Sequence, residues 1–392
     1  MSDLPLQGIT VVALEQAVAA PVATCRLADA GARIIKLERE TGDFARTYDT
    51  AANGQSAYFA WANRGKESLT VDIKDPDDVE LIKRILSRSD AFIQNLSVGA
   101  AARVGLGSDV LRDEFPHLIT CDISGYSETG AYRDMKAYDL LIQAESGLVS
   151  ISGAPGEYGR IGVSLVDIST GLTAALAINE AIVARARTGE GRAIKLSLFD
   201  VIADWMSVPL LQHEEKGVGP DRVGLAHPSI TPYGGFVSRD GVTIVISVQN
   251  DREWKAFTEQ VLERPELTAD PLYATNPVRM ERRPKVDGMV QEFFGKRSKE
   301  ELVELLKNAR IAFGVVNEMP AFAMHPELRR TRYESATGPI EMPAYPDSER
   351  KVEDGTVRIP RLGEHSAAIR KEFEAVDEAS TLSPIDTSTV DT

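Results

Sequence analysis

The chain is short of almost everything that marks a secreted, membrane-bound or metal-dependent protein. Its 392 residues include only two cysteines, Cys25 and Cys121, far apart and without CxxC spacing. That excludes a disulfide framework and a cysteine-built metal centre, and it fits a reducing compartment. Both are expected inside, as small apolar side chains. Histidine is equally sparse: His117, His213, His227, His325 and His365 are scattered, and no metal constellation is predicted from them. No run of 18 apolar residues occurs, and the opening Met1-Ser2-Asp3-Leu4-Pro5 has no basic segment followed by an apolar stretch. The expectation is a soluble, unexported, cytoplasmic protein with no membrane partner. Positive charge is in deficit, with 44 Lys plus Arg against 59 Asp plus Glu and a formal charge of -15. Nucleic acid is therefore disfavoured as a partner, and any anionic ligand must be met by a local basic pocket.

A dinucleotide fingerprint is also missing. The first 125 residues alternate short β-branched runs with helical patterns, the signature of a parallel sheet covered by helices, an α/β Rossmann-like arrangement in outline. Strands are predicted over 8–14, 33–37, 68–73, 91–95 and 118–124. Helices are predicted over 22–31 and 76–89, the second opened by Asp75 as N-cap before Pro76. Yet the first strand leads into Gln16-Ala17-Val18-Ala19-Ala20-Pro21 rather than GxGxxG, so a nicotinamide dehydrogenase is set aside. Gly105-Leu106-Gly107 follows no convincing strand and reads as a turn.

With 392 residues, two domains are the default. The large domain is predicted over 1–214. Lys216-Gly217-Val218-Gly219-Pro220 lies in a linker over 215–225. A smaller α+β domain follows over 226–325, carrying a strand at 241–248 and helices at 253–261 and 299–309. A second linker, 326–355, returns the chain to the large domain over 356–375, and the Ser/Thr-rich stretch 376–392 offers little apolar material to bury. Upstream of the first linker the sequence predicts a strand over 193–198 and a helix over 201–213.

Asp167 is the residue that invites a chemical reading. It ends the run Gly162-Val163-Ser164-Leu165-Val166 and precedes Ile168-Ser169-Thr170-Gly171, ahead of helical periodicity in Leu172, Leu176, Ile178 and Ile182. At such a boundary an aspartate commonly caps its helix. The helix N-terminus would also hold the carboxylate ionised and directed, as covalent catalysis by aspartate requires.

A set of short motifs carries a resemblance across nearly the whole chain. It comprises Leu6-Gln7-Gly8-Ile9, Ala20-Pro21, Ile35-Lys36-Leu37-Glu38-Arg39, Gly42-Asp43, Asn63-Arg64-Gly65-Lys66, Asn95, Arg103-Val104-Gly105, Gly125-Tyr126, Tyr138-Asp139, Asp167, Thr188-Gly189-Glu190-Gly191, Asp270-Pro271 and Leu362-Gly363-Glu364-His365. In this order and spacing they resemble the family III CoA-transferases, which share their fold with alpha-methylacyl-CoA racemase.

The resemblance implies an interlocked homodimer of a Rossmann-like large domain and a smaller α+β domain. It places the catalytic nucleophile on Asp167, passing through an acyl-aspartyl anhydride and an aspartyl-CoA thioester. It implies no tightly bound cofactor: coenzyme A enters as the acyl-CoA substrate, with a carboxylic acid as the second partner. Arg39, Lys74, Asn95, Leu96, Arg103, Lys136 and Tyr138 fall on the family's CoA-binding positions. Near the active aspartate, Val18 stands where the family has glutamine and Gln16 where the oxalate-acting members have histidine, which argues against oxalate. The glycine-rich loop of those members is far shorter here, around Tyr233-Gly234-Gly235. Gln249-Asn250-Asp251-Arg252-Glu253-Trp254, His227-Pro228-Ser229 and Gln143-Ala144-Glu145-Ser146-Gly147 look like the branch acting on C4 to C5 dicarboxylates such as itaconate, mesaconate or succinate. Arg46 is the candidate cation for the second carboxylate, with Asp43 or CoA as its competing partners, and His227 is a candidate for lining the same pocket. Racemisation of 2-methylacyl-CoA is the alternative, weakened because Tyr138-Asp139 replaces the racemases' His-Asp pair. A CoA-binding protein without turnover is a further one.

Overall fold

The computed structural model describes residues 4–347 and 355–374, and the chain divides into two units. The first takes the described parts of Met1–Ile142, Ser164–Asp204 and Arg330–Thr392; the second takes Gln143–Val163 and Trp205–Arg329.

The first unit is built on strands β1 (Thr10–Leu14), β2 (Arg33–Glu38), β3 (Lys66–Thr70), β4 (Ala91–Gln94), β5 (Ile119–Ser124) and β6 (Ala193–Ser197). They form one sheet in the order β3-β2-β1-β4-β5-β6, every neighbouring pair parallel. Continuous apolar runs such as Val11-Val12-Ala13-Leu14 are buried, as strands covered on both faces must be. The connecting helices are α1 (Ala19–Asp29), α2 (Ala57–Asn63), α3 (Pro76–Leu86), α4 (Ala100–Arg103), α5 (Ser108–Glu114) and α8 (Leu165–Thr188); α6 (Asp139–Glu145) begins in this unit, and α7 (Leu148–Ile151) lies in the second. Helix α3 opens as its sequence predicts, with the Asp75 carboxylate accepting from the Asp77 amide and Pro76 in the first turn. Helix α8 is long and apolar enough by length and composition to cross a membrane, but it packs along α1 and against β5 and β6.

Several boundaries in this unit differ from expectation, and those of β3, α1 and α8 are the most informative. Strand β3 starts at Lys66 rather than 68 and stops at Thr70 rather than 73. The buried Lys66 ammonium is satisfied by Glu15, Asn63 and the Pro21 carbonyl, a tertiary arrangement no propensity foresees. Helix α1 begins at Ala19, three residues early, with Pro21 in its first turn, where the missing N–H costs nothing. Helix α8 starts at Leu165, a turn or more before the apolar periodicity used to place it.

In the second unit, β7 (Tyr233–Val237), β8 (Thr243–Ser247) and β9 (Ala312–Val315) form an antiparallel sheet in that order. It covers a core that includes Phe236, Ile246, Trp254, Phe257, Phe294 and Leu302. The predicted helix over 299–309 is present as Lys299–Asn308, opened by a capping box between Ser298 and Glu301. The helix predicted over 201–213 is two helices, α9 (Leu198–Trp205) and α10 (Ser207–Lys216), so the expected boundary at 214 falls inside α10. The stretch predicted as a linker over 326–355 holds a hairpin of β10 (Arg330–Tyr333) and β11 (Ile340–Pro343), which belongs to the first unit. Residues 348–354 and the expected tail 376–392 lie outside the described residues.

Candidate active site

Strand β1 is hydrogen-bonded to β2 on one side and to β4 on the other. The chain therefore leaves β1 and β4 in opposite directions, and the carboxyl ends of those strands form the crevice where open parallel sheets bind ligands. Gln16 and Asn95 meet there. The Asn95 side chain accepts from the Gln16 amide at 2.9 Å and donates to the Gln16 carbonyl at 2.9 Å.

The next residue, Ala17, has φ 61, a left-handed conformation that a Cβ disfavours. It is held by the Asp43 carboxylate, which accepts from the Ala17 amide at 3.0 Å and from the Ala45 amide at 2.9 Å. Asp43 is in turn paired with Lys36 at 2.9 Å, Lys36 with Glu15 at 3.3 Å, and Glu15 with Lys66 at 2.6 Å. The side chains of Glu15, Lys36, Asp43 and Lys66 are fully buried. Against the burial that lowers it, Glu15 and Asp43 raise the Lys36 ammonium above its ordinary pKa. Burial lowers that of Lys66, with Lys36 nearby adding to the effect. Buried ions are tolerated only when each is paired, and this set fixes the turn from β1 into α1.

Asp167 is the third residue of α8, half-buried. It does not cap the helix, and neither does the N-cap residue Ser164, whose side chain makes no cap hydrogen bond. The cap comes from another segment: Asp139 Oδ1 accepts from the Val166 amide at 2.8 Å and from the Asp167 amide at 3.3 Å. Among the described residues no hydrogen bond ends on the Asp167 carboxylate. Burial, with the Asp139 charge adding to it, pushes its carboxyl up to about 7. The expectation that the helix start keeps this group firmly ionised is thus corrected: desolvation outweighs the macrodipole.

One turn further along the same face, Gly171 lies against α1. A Cβ there would stand 2.6 Å from the Ala19 carbonyl oxygen and 2.9 Å from Val22, so the face of α8 bearing Asp167 meets the start of α1. Tyr48 borders the same place. Its phenol is pushed up to about 12 by burial, then by the negative charges of Asp43 and Asp167, and it stays neutral.

The residues expected to bind CoA share the carboxyl edge of the sheet. Arg39 follows β2, Lys74 lies in the turn after β3, Asn95 and Leu96 follow β4, and Arg103 ends α4. Arg39, Lys74 and Arg103 are exposed cations, and the Arg39 guanidinium donates to the Gly42 carbonyl at 3.1 Å. Leu96 packs on the core and its amide donates to Gln94. Lys136 and Tyr138 are exposed just before α6, Tyr138 at 62%.

Three candidates are placed otherwise than expected. Val18 is buried, its side chain packed with Val22 and Ala62. Arg46 is occupied by the fold: it forks onto Glu38 at 2.8 and 2.7 Å, donates to the Pro360 carbonyl at 3.3 Å and lies 3.7 Å over the Phe59 ring. Glu38 takes the place of both the substrate carboxylate and Asp43 as its partner. His227 belongs to the second unit, where Nδ1 accepts from the Ser229 amide and the ring stacks on Tyr233 at 5.0 Å.

Neither the capping role of Asp139 nor the ion set around Lys36 is among the expectations from sequence. The second had a signal. Lys36 and Lys66 interrupt strands that are otherwise covered on both sides, and a charge in such a strand requires a buried partner. No local pattern announces that Asp139 caps a helix 26 residues away.

Comparisons with known proteins give the family and support the fold. The model of CoA-transferase family III matches residues 6–366. A succinate–glutarate CoA-transferase of Agrobacterium fabrum is 31% identical over 96% of this chain and 98% of its own length. An acetyl-CoA:oxalate CoA-transferase of Acetobacter aceti is 32% identical over 95% and 96%. The crystal structure of a CAIB/BAIF family protein from Brucella suis superposes with a TM-score of 0.81 at 32% identity, covering 95% of this chain and 100% of that one. The chain belongs to CoA-transferase family III.

Proposed function

We propose that this enzyme moves CoA between an acyl-CoA thioester and a dicarboxylic acid of four to five carbons, with Asp167 as the covalent carrier. The observation that carries the reading is Asp167 itself. It is a desolvated carboxylate with no hydrogen-bond donor among the described residues, on the face of α8 that meets the start of α1. Such a group is strongly basic and, once ionised, strongly nucleophilic.

In this reading an Asp167 oxygen attacks the thioester carbonyl, the C–S bond breaks, and CoA thiolate leaves an acyl-aspartyl anhydride. The thiolate then attacks the Asp167 carbonyl carbon, releasing the first acid and forming an aspartyl-CoA thioester. The incoming carboxylate attacks that carbon, expels the thiolate and forms a second anhydride. Thiolate attack on the new acyl carbon releases product and restores Asp167. Each tetrahedral stage needs N–H donors, and the proposed donors are the Ala19 and Ala20 amides in the first turn of α1, which a helix leaves without internal partners. The exposed Arg39, Lys74 and Arg103, with Asn95, Leu96, Lys136 and Tyr138, are the proposed contacts of CoA at the carboxyl edge. Gln16 is the proposed neighbour of the acyl group.

The dicarboxylate class is supported by relatives named for succinate, glutarate and mesaconate. Among four- and five-carbon acids, succinate, mesaconate and itaconate are our candidates. We also propose a homodimer, because Leu172, Leu176 and Val183, on one face of α8, are 45%, 60% and 62% exposed.

A panel of acyl-CoA donors and dicarboxylate acceptors, read by mass spectrometry, tests the reading. Transfer to a succinate-sized acid is expected, lost by roughly 10³-fold or more in Asp167→Ala. Retained transfer in that variant removes Asp167 from the role. Exchange of the α-proton of a 2-methylacyl-CoA in deuterated water at turnover rates, with no acceptor acid, would favour the racemase instead.

A further inference from the structure

Asp139 has a place in the structure that neither the resemblance nor the family assignment gives it. Its carboxylate reaches across to another segment and takes the amides of the second and third residues of α8, in place of the N-cap Ser164, whose side chain is not used. An acidic side chain in the first turn of a helix can turn back on that turn's own free amides, which have no partner within the helix. Asp167 holds that position, and its carboxylate accepts nothing among the described residues. The Val166 amide and its own amide are already committed to Asp139.

We propose that Asp139 is the positioning residue of the reaction: by occupying the first-turn amides of α8 it prevents the Asp167 carboxylate from folding back on its own helix and leaves both oxygens available for attack. This rests on Asp167 being the nucleophile. Two consequences follow from one contact. The first is geometric, since a carboxylate bonded to its own helix would have to break those bonds before reaching an acyl carbon. The second is electrostatic, because a like charge beside a half-buried carboxylate disfavours its ionisation and raises its basicity. The other titratable group bordering Asp167 is Tyr48, neutral at working pH. Helix α1 sets the Ala19 carbonyl and the apolar Val22 side chain against Gly171, one turn along α8 from Asp167, and Asp139 is the charge that acts on the Asp167 carboxyl.

Two variants separate the consequences. Asp139→Asn keeps an oxygen acceptor for the two amides but removes the charge; Asp139→Ala removes both. For Asp139→Ala we expect kcat to fall by about 10²-fold, with KM for the acyl-CoA changed little. For Asp139→Asn we expect most of that kcat to return, while the acid limb of kcat/KM moves to lower pH by about one unit. The proposal is overturned if Asp139→Ala, folded by circular dichroism, keeps its kcat. It is equally overturned if Asp139→Asn loses as much kcat as Asp139→Ala with an unmoved acid limb. Trapping of the covalent adduct on Asp167 in the unmodified enzyme is the control. Its absence removes the proposed carrier itself, whereas its presence alongside unaltered Asp139 variants removes only the positioning role.

Discussion

The Gly171 Cα lies so close under the Ala19 carbonyl that a methyl group on it would stand 2.6 Å from the oxygen. Helices α1 and α8 approach closely because one of them has no side chain at the crossing, and that approach sets where Asp167 stands relative to the β1–α1 turn. Gly171→Ala must push the helices apart, since the obstacle is backbone and cannot rotate away. We expect a stability loss of about 1–3 kcal/mol, as for overpacked cores, and a fall in kcat larger than the change in KM. Chemical denaturation and steady-state kinetics measure the two.

Asp167 attacks only when ionised, and its carboxyl sits at about 7 through burial and the neighbouring Asp139. The free enzyme is therefore predicted to show kcat/KM rising with pH through an acid limb near neutrality, rather than at the usual carboxylate value. A limb near pH 4 in a pH–rate profile would show that Asp167 is not desolvated as described.

Arg46 and Glu38 give a prediction of the opposite kind. Because Arg46 forks onto a fully buried Glu38 side chain, Arg46→Ala removes that carboxylate's salt-bridge partner and leaves it Ser68 and the Asp43 amide as donors, at a cost of up to about 3 kcal/mol. Discrimination between monocarboxylate and dicarboxylate donors should stay unchanged. A variant of native stability with altered donor preference would return Arg46 to the substrate pocket.

The same pair predicts part of the acid sensitivity. Burial would raise the Glu38 carboxyl, but Arg46, Lys36 and Ser68 together hold it down at about 2, against an ordinary 4.5. The unfolded chain takes up this proton first as pH falls. The contribution, roughly 3 kcal/mol, is therefore fully present above about pH 4.5 and is lost between there and pH 2. In Ser68→Ala, which removes one donor to Glu38, the acid midpoint should move to higher pH, as measured by circular dichroism.

How much of this was legible in the sequence depended on whether the cause was local. The alternation of apolar runs and helical periodicity gave the parallel sheet, and Asp75 before Pro76 gave the start of α3, because those signals lie within a few residues of what they specify. The start of α8 was misplaced because its first turn is capped by Asp139 rather than by a neighbour in sequence. Arg46 was misassigned for the same reason: its partner Glu38, its ring Phe59 and its carbonyl Pro360 are brought together only by the fold. Asp167 itself was found from its position at a helix boundary. Its raised pKa was not, since burial is a property of the packed sheet and helices.

Mass analysis of the peptide containing Asp167, taken during turnover with hydroxylamine present, bears most directly on the account. We predict an aspartyl hydroxamate at Asp167 that requires acyl-CoA and disappears in Asp167→Ala. Turnover at full rate with that peptide never modified would contradict it.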